Sequence, residues 1–381
     1  MDFALSDEQV AIRDTARVFG RDRIAPHAQA WEAAGTMPRA VLEAAGALGF
    51  GAMLVPEDMG GAGLDRLDAA LVVEALAMAC PAVASFVSIH NMCAAMIARH
   101  GGEALRARIL PGAVGMRTIL AYCLTEPGSG SDAAALRTRA GRSADGWILN
   151  GSKAFISGGG FADAYVVMAR TGGEGPKGIS AIVVDAGTPG LSFGAPERKM
   201  GWKAQPTAMV QLDDVRVPAA NLLGAEGEGF GYAMQGLDGG RLNIAAAALG
   251  GAQAALEIAL GHTAGRHAFG QPLNRFQALQ FRLADMETGL QAARVFLYQA
   301  AWKLDRQAPD ATKHCAMAKR FVTDTAFEVA NGALQLLGGY GYLADFGVEK
   351  LVRDLRVHQI LEGTNEIMRV ITARALLAEH A

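Results

Sequence analysis

Two segments of this chain carry residues whose types and spacing suit chemistry. The first is Ile360-Leu361-Glu362-Gly363-Thr364-Asn365-Glu366-Ile367-Met368-Arg369. Glu362 has apolar residues on one side and glycine on the other. A carboxylate set there is poorly solvated, and desolvation raises its pKa because the charged form loses its water. Basicity rises with pKa, so such a group suits removal of a weakly acidic proton from carbon. Taken alone, a loop glutamate is more commonly a solvated or helix-capping residue. The second segment, Tyr122-Cys123-Leu124-Thr125-Glu126-Pro127-Gly128-Ser129-Gly130-Ser131-Asp132, is a strand-like run that breaks into a Gly/Ser loop. Its backbone N–H groups and hydroxyls suit an anionic or heterocyclic ligand.

Three blocks must position these segments. From Ser6 to about Arg117 the apolar period is helical, with Ser6 and Gln9 spaced as a capping box ahead of Val10, Ile12, Ala16 and Phe19. Pro38 opens another helical run, and the Gly60–Gly63 stretch is an exposed loop. Between Ile119 and Pro218 the pattern turns strand-like, through Trp147–Leu149, Ala164–Met168, Ile179–Val184 and Ala208–Leu212. Asn150-Gly151 suits a tight hairpin turn. After Glu228 helices return, broken near Arg266–Pro272 and Gly338–Gly341. The order predicts an α+β chain with an N-terminal helical domain over 1–118, a β-domain over 119–228 and a C-terminal helical domain over 229–381.

Composition narrows the function classes. Hydrophobic residues make up 51% and charged residues 19%, and the formal net charge is −3. Lys and Arg are scattered, which argues against a nucleic-acid partner. The acidic start, Asp2 to Glu8, is unlike a basic targeting segment. The most apolar run, Asn243 to Leu260, carries Gln253 and Glu257 and argues against a membrane span. Cys80, Cys93, Cys123 and Cys315 lack CxxC spacing, so a zinc site is not expected; reduced thiols fit the cytoplasm. Gly227, Gly229 and Gly231 read as a flexible loop, because a dinucleotide fingerprint needs strand, turn and helix together. His262 and His267 sit off one helical face. Asp238-Gly239-Gly240-Arg241 reads as a helix start, with an acidic N-cap or a polar ligand at its free N–H groups. The cluster Gly338-Gly339-Tyr340-Gly341 reads as a helix-ending loop or a close backbone approach to a ligand.

Several long segments, taken together, resemble the acyl-CoA dehydrogenase family. They are Ser88-Ile89-His90-Asn91-Met92-Cys93, Tyr122 to Asp132, Asn150-Gly151-Ser152-Lys153-Ala154-Phe155-Ile156-Ser157, and Val357-His358-Gln359 running into the Glu362 segment. The resemblance spans essentially the whole chain and is greatest to the branch acting on isobutyryl-CoA. It implies a middle β-barrel-like domain, a C-terminal four-helix bundle, and FAD lying between them. Matching flavin positions are Tyr122, Leu124, Thr125, Gly130 and Ser131, then Phe155, Ile156 and Ser157. Many relatives carry Trp where Phe155 stands. Arg266, Phe276, Gln277, Gln335, Leu336, Gly338 and Gly339 match contacts to the FAD of another subunit in a homotetramer. Thr364, Asn365 and Glu366 match further flavin contacts. Ser131, Asp238, Gly239, Gly240, Arg241 and Arg374 match acyl-CoA contacts.

The chemistry implied by the resemblance is removal of the α-proton by Glu362 with hydride transfer from the β-carbon to FAD. The thioester carbonyl would be held by the Glu362 N–H and a ribityl hydroxyl. Isobutyryl-CoA would become methacrylyl-CoA in valine breakdown, with electrons passing to an electron-transfer flavoprotein. In one branch of the family the base stands just before the arginine matching Arg241; here that residue is Gly240, which leaves Glu362. Alternatives within the class are butyryl-CoA and 2-methylbutyryl-CoA dehydrogenases. From other classes, the fold also hosts flavin monooxygenases and could host a non-catalytic assembly protein.

Overall fold

The structure is a computed structural model and describes residues 4–380. It opens with α1 (Asp7–Phe19), α2 (Ala28–Ala34), α3 (Arg39–Gly46), α4 (Arg66–Ala79), α5 (Pro81–His100) and α6 (Glu103–Val114). The expected capping box starts α1: the Ser6 hydroxyl accepts from the Gln9 N–H, and the Gln9 side chain accepts from the Ser6 N–H. The α4 and α5 helices are apolar on nearly every face and buried, because α4 lies between α1, α5 and a long C-terminal helix. Both α5 and that later helix are long and apolar enough to cross a membrane by length and composition; most of each is covered by the protein itself.

The middle strands are β1 (Leu120–Cys123), β2 (Arg139–Arg142), β3 (Gly146–Ser157), β4 (Ala164–Arg170), β5 (Ile179–Asp185), β6 (Leu191–Phe193), β7 (Thr207–Pro218) and β8 (Leu222–Leu223). They form one eight-stranded sheet in the order β6-β7-β3-β2-β4-β5-β8, with β1 parallel to β4. The hydrogen-bonded path ends at β6 and β8 instead of closing into a ring. Asn150-Gly151 makes no hairpin turn. The two residues lie inside β3 at a register shift against β7, and the hairpin turns instead between Arg142 and Gly146. Gly151 is required there for a different reason: its φ is +149°, and a Cβ would come within 2.5 Å of the Thr138 hydroxyl.

The remaining elements are α7 (Gly229–Gly265), a small hairpin of β9 (His267–Ala268) and β10 (Gln271–Pro272), α8 (Gln277–Asp305), α9 (Ala311–Leu337), α10 (Val348–Arg356) and α11 (Asn365–Ala378). The α9 helix packs against α7, α8, α10 and α11. Asp238–Arg241 is no helix start; it sits in the third turn of α7. The glycines of Gly227, Gly229 and Gly231 divide between a left-handed loop residue and the first turn of α7.

Two buried histidines tie the blocks together. His90 accepts from the Leu120 N–H through Nδ1 at 3.0 Å and meets the Ala113 carbonyl through Nε2 at 2.9 Å. His358 does the same between Trp202 and the Ile244 carbonyl. Burial lowers both pKa values, to about 4 for His90 and about 3 for His358, so each is a neutral ring with one donor and one acceptor. His90 thereby sets the start of β1, and His358 sets the chain four residues before Glu362.

The Gly/Ser loop after β1 is anchored by a buried ion pair. Lys153 Nζ lies 2.8 Å from Glu126 Oε1 and 3.0 Å from the Leu124 carbonyl, while the Arg137 and Thr138 amides donate to the same carboxylate. Burial alone would raise the Glu126 pKa; Lys153 and these donors hold it below the usual range. Removing one partner of such a pair costs about 3–5 kcal/mol, because the remaining charge is stranded. Lys153→Met is therefore expected to loosen residues 124–138 by that amount. Amide hydrogen exchange over the segment checks it, and unchanged protection would show that the pair does not hold the loop.

Candidate active site

The Glu362 carboxylate rests on α7 beside a glycine. A Cβ added to Gly240 would lie 2.5 Å from Glu362 Oε2 and 3.0 Å from its carboxyl carbon, so the carboxylate occupies the space that a side chain at 240 would need. Oε2 is buried and accepts no hydrogen bond. The residue retains some exposure, and its φ is +55°, in the left-handed region that a β-substituted residue seldom adopts. Gly363 follows at φ +88°. The loop bends there and delivers the carboxylate against the helix. Burial raises the Glu362 pKa to about 7, opposed by the positive charges of Arg241 and Lys319.

Other unpartnered polar atoms share this interior. Tyr122 Oη and Arg241 Nε are buried without partners. Burial pushes the Tyr122 phenol well up, with the Glu362 charge adding to the effect, which places the two groups in one field. Buried polar groups are normally satisfied, so several orphans in one place mark where a ligand's polar groups belong. Arg241 is otherwise bound through Nη1 to Asp238, whose second oxygen accepts from Thr312. The Glu362 N–H likewise donates to no described group.

The loop beyond β1 is open on its outer side: a Cβ at Gly128 or Gly130 would meet nothing within 4 Å. Next to it, the Thr125 carbonyl accepts from Ala154, which joins the loop to the end of β3. Phe155 there is 68% exposed with φ +59°, its ring standing clear of the sheet. Ile156 points into the core, so only its backbone faces outward chemistry. The Ser157 hydroxyl accepts from Gln205 and keeps its own proton free to donate.

A second group of expected residues gathers elsewhere. Arg266 stacks over Tyr340 at 5.3 Å, next to Gly338 and Gly339, where added Cβ atoms would meet nothing. Phe276 packs edge-on to Phe269, which is 94% exposed at the hairpin tip, and Gln277 begins α8. Gln335 and Leu336 close α9, Leu336 with its side chain buried. Among the described residues no hydrogen bond, ion pair or ring contact joins this group to the β1 loop or to Phe155. The structure therefore brings together Glu362, Gly240, Arg241 and Tyr122, and sets Arg266, Phe276 and Gly338–Gly339 apart from them.

Around the Glu362 loop, Thr364 caps α11 by accepting from the Ile367 N–H. Asn365 is buried and its side chain is consumed by Lys319, Thr323 and Asp324, leaving only its backbone for a ligand. Glu366 is exposed beside Arg369, and Arg374 is exposed further along α11. Three residues near the site went unremarked in the sequence: Lys319, Arg66 and Thr312. Arg66 lies against Gly239, where a Cβ would come within 2.2 Å of its Nη1. A lysine inside an apolar helical run, as Lys319 is between Ala318 and Val322, was the available signal.

Comparison with known proteins agrees along the whole chain. Family models for the N-terminal, middle and C-terminal domains of acyl-CoA dehydrogenases match residues 6–117, 121–215 and 227–377. The mitochondrial isobutyryl-CoA dehydrogenase of Bos taurus is 52% identical over 98% of this chain and 90% of its own length. A chain from the structural study of the electron transferring flavoprotein of Acidaminococcus fermentans is 42% identical, with TM-score 0.96 over 99% of this chain and all of that one. Butyryl-CoA dehydrogenase of Megasphaera elsdenii is 40% identical, with TM-score 0.95 over 99% of this chain and all of that one. The helical, β and helical blocks described above are thus those of a known oxidoreductase fold, and the chain belongs to the acyl-CoA dehydrogenase family of FAD-dependent enzymes.

Proposed function

We propose that this chain dehydrogenates a short branched acyl-CoA between its α- and β-carbons, with isobutyryl-CoA as substrate and methacrylyl-CoA as product. The observation that carries the reading is the Glu362 carboxylate, buried and unpartnered against Gly240. Glu362 is the base that takes the α-proton. Its N–H, free of other partners, donates to the thioester oxygen as negative charge builds there. A positioned base typically contributes about 10²–10⁴-fold, so orientation of the thioester must supply much of the remaining acceleration. Asp238, Gly239, Gly240 and Arg241 contact the acyl-CoA with Ser131, the two glycines admitting Arg66 and Glu362 against α7; Arg374 lies on the outer path.

The residues present fit FAD. The open glycines at 128 and 130, the exposed Phe155 ring and the orphaned Tyr122 hydroxyl suit a flat ring system with a polar edge. Tyr122, Leu124, Thr125, Gly130, Ser131, Phe155, Ile156 and Ser157 hold it on one side, with Thr364, Asn365 and Glu366 near the base. FAD supplies the two-electron acceptor that the β-hydrogen requires. Arg266 suits a diphosphate, and the open glycines 338 and 339 allow close backbone approach. Because these lie apart from the β1 loop, we assign them to a neighbour's cofactor in a homotetramer. The exposed aromatics Phe269 and Tyr342 support a covered face there. An electron-transfer flavoprotein is the proposed acceptor, which agrees with the likeness to a chain studied with such a protein. Domain limits of 1–118, 119–228 and 229–381 go with this reading. Four free, buried cysteines support a reducing compartment, the cytoplasm.

Glu362→Gln is expected to keep FAD and bind acyl-CoA yet lose flavin reduction, since the amide is nearly isosteric but takes no proton. Anaerobic bleaching at more than a few per cent of the wild-type rate, a loss smaller than the roughly 10²-fold or more that removing a base entails, would remove Glu362 from this role. With the Glu362 pKa raised to about 7, its charged form predominates above that value. The reduction rate should therefore climb about tenfold per pH unit below 7 and level off above it.

Arg266→Ala is expected to weaken FAD retention. Sedimentation gives the companion check: a stable monomer holding a full complement of FAD would contradict a shared site. Among isobutyryl-, 2-methylbutyryl-, butyryl-, isovaleryl- and octanoyl-CoA, isobutyryl-CoA should give the highest kcat/KM, ahead of butyryl-CoA by about 10–200-fold, since one methyl group's placement decides it. A higher value for butyryl-CoA would match the likeness to the Megasphaera elsdenii enzyme and replace the branched substrate while leaving the reaction class intact.

A further inference from the structure

Lys319 sits in the third turn of α9, fully buried, with its ammonium directed at the loop that carries Glu362. Nζ donates to the Gly363 carbonyl at 2.8 Å and to Asn365 Oδ1 at 2.9 Å. Asn365 in turn donates to Thr323 Oγ1 at 3.0 Å and Asp324 Oδ1 at 2.7 Å. The loop that runs into these anchors holds two consecutive left-handed residues, Glu362 and Gly363. A non-glycine residue in that region costs of order 1–3 kcal/mol and persists only where its surroundings over-determine it. The peptide carbonyl directly after the strained pair is one that Lys319 grips.

We propose that Lys319 is a positioning residue: it fixes the Gly363 carbonyl and Asn365, and thereby holds Glu362 in the conformation that lays its carboxylate against Gly240. The inference rests on Glu362 being the base. A neutral side-chain amide at the same place could donate to both acceptors, but without the charge that strengthens these bonds. The lysine also contributes to the field around the carboxylate. The charged and titratable groups facing Glu362 are Arg241 from α7, Lys319 from α9, Cys93 from α5 and Tyr122 from β1; Asp324 and Glu366 act on Lys319. Burial lowers the Lys319 pKa to about 7, with Glu362 opposing that fall, so the two groups exchange influence in the neutral range. The positive form of Lys319 favours the carboxylate form of Glu362.

The test uses the FAD-loaded enzyme and reads three quantities: bound FAD, affinity for the enoyl-CoA product, and the pH profile of anaerobic flavin reduction. Lys319→Met is expected to lower the reduction rate at least about 100-fold and to move the Glu362 ionisation upward by about one pH unit, with product affinity changed less than about threefold. Lys319→Arg, which keeps charge and donors, should recover at least about a tenth of the wild-type rate. A purely structural role would reduce FAD content or product affinity without moving the pH profile. Should Lys319→Met fail to retain FAD, Lys319→Gln supplies the same readings, since it keeps N–H donors and drops the charge. A wild-type rate and pH profile in the variant that holds FAD, or equal losses in Lys319→Arg and Lys319→Met, would overturn the proposal. Glu362→Gln run alongside separates the two ideas. If it stays active, the base assignment fails; if it is inactive while Lys319→Met is normal, only the positioning role fails.

Discussion

A carboxylate kept dry without a counter-ion touching it is the constraint around which this molecule is built. Glu362 has its raised proton affinity because the protein withholds water and close partners from Oε2. That arrangement is unfavourable for folding. At neutral pH the unfolded chain releases this proton readily and the folded chain resists doing so, so the group detracts from stability as pH rises from about 4.5. The surrounding structure must offset this, and it does so with packing. The small residues of α7, Gly239, Gly240, Ala245–Ala248 and Gly250, let neighbouring groups approach until glycine is the only residue that fits at two of these positions. A Cβ at Gly250 would come within 2.1 Å of the Glu74 carbonyl, as one at Gly240 would meet Glu362.

Rigid attachment of the three blocks serves the same end. The helical blocks supply Glu362 and Arg241, the β-block supplies Tyr122, and neutral buried histidines fasten the joints. His90 and His358 are held neutral by burial, and each bridges a donor and an acceptor from different parts of the chain. A protonated ring would lose the acceptor side of either bridge. The ion pair of Lys153 and Glu126 plays the corresponding part for the Gly/Ser loop.

Much of this was legible in the sequence, for identifiable reasons. The order helices, strands, helices followed from periodicity, since burial on one face imposes 3.6- or 2-residue spacing. The Ser6 and Gln9 capping box was readable because both partners are local. The failures were failures of context. Asn150-Gly151 has the composition of a turn, yet pairing with β7 carries the strand straight through it. Asp238-Gly239-Gly240-Arg241 has the composition of a helix start, but its glycines mark close approach by Glu362 and Arg66 in the body of α7. The contacts of Lys319 were not legible, because its partners stand more than 40 residues further along the chain. Glu362 stood out only through its apolar and glycine neighbours; its left-handed backbone and its seat against Gly240 are tertiary facts.

The separation of the Arg266 group from the β1 loop has a genetic corollary. Where two copies of a chain each complete the other's cofactor site, a defect does not stay in the copy that carries it. An altered Arg266 would impair the neighbour's pocket, while a lesion in the Tyr122–Ser131 loop would impair the copy's own. Co-expressed in one cell, chains bearing one lesion each would assemble some pockets with both faults and some with none. Two inactive alleles would then restore part of the activity that neither gives alone, while a single defective allele would spoil no more sites than its share of the subunits.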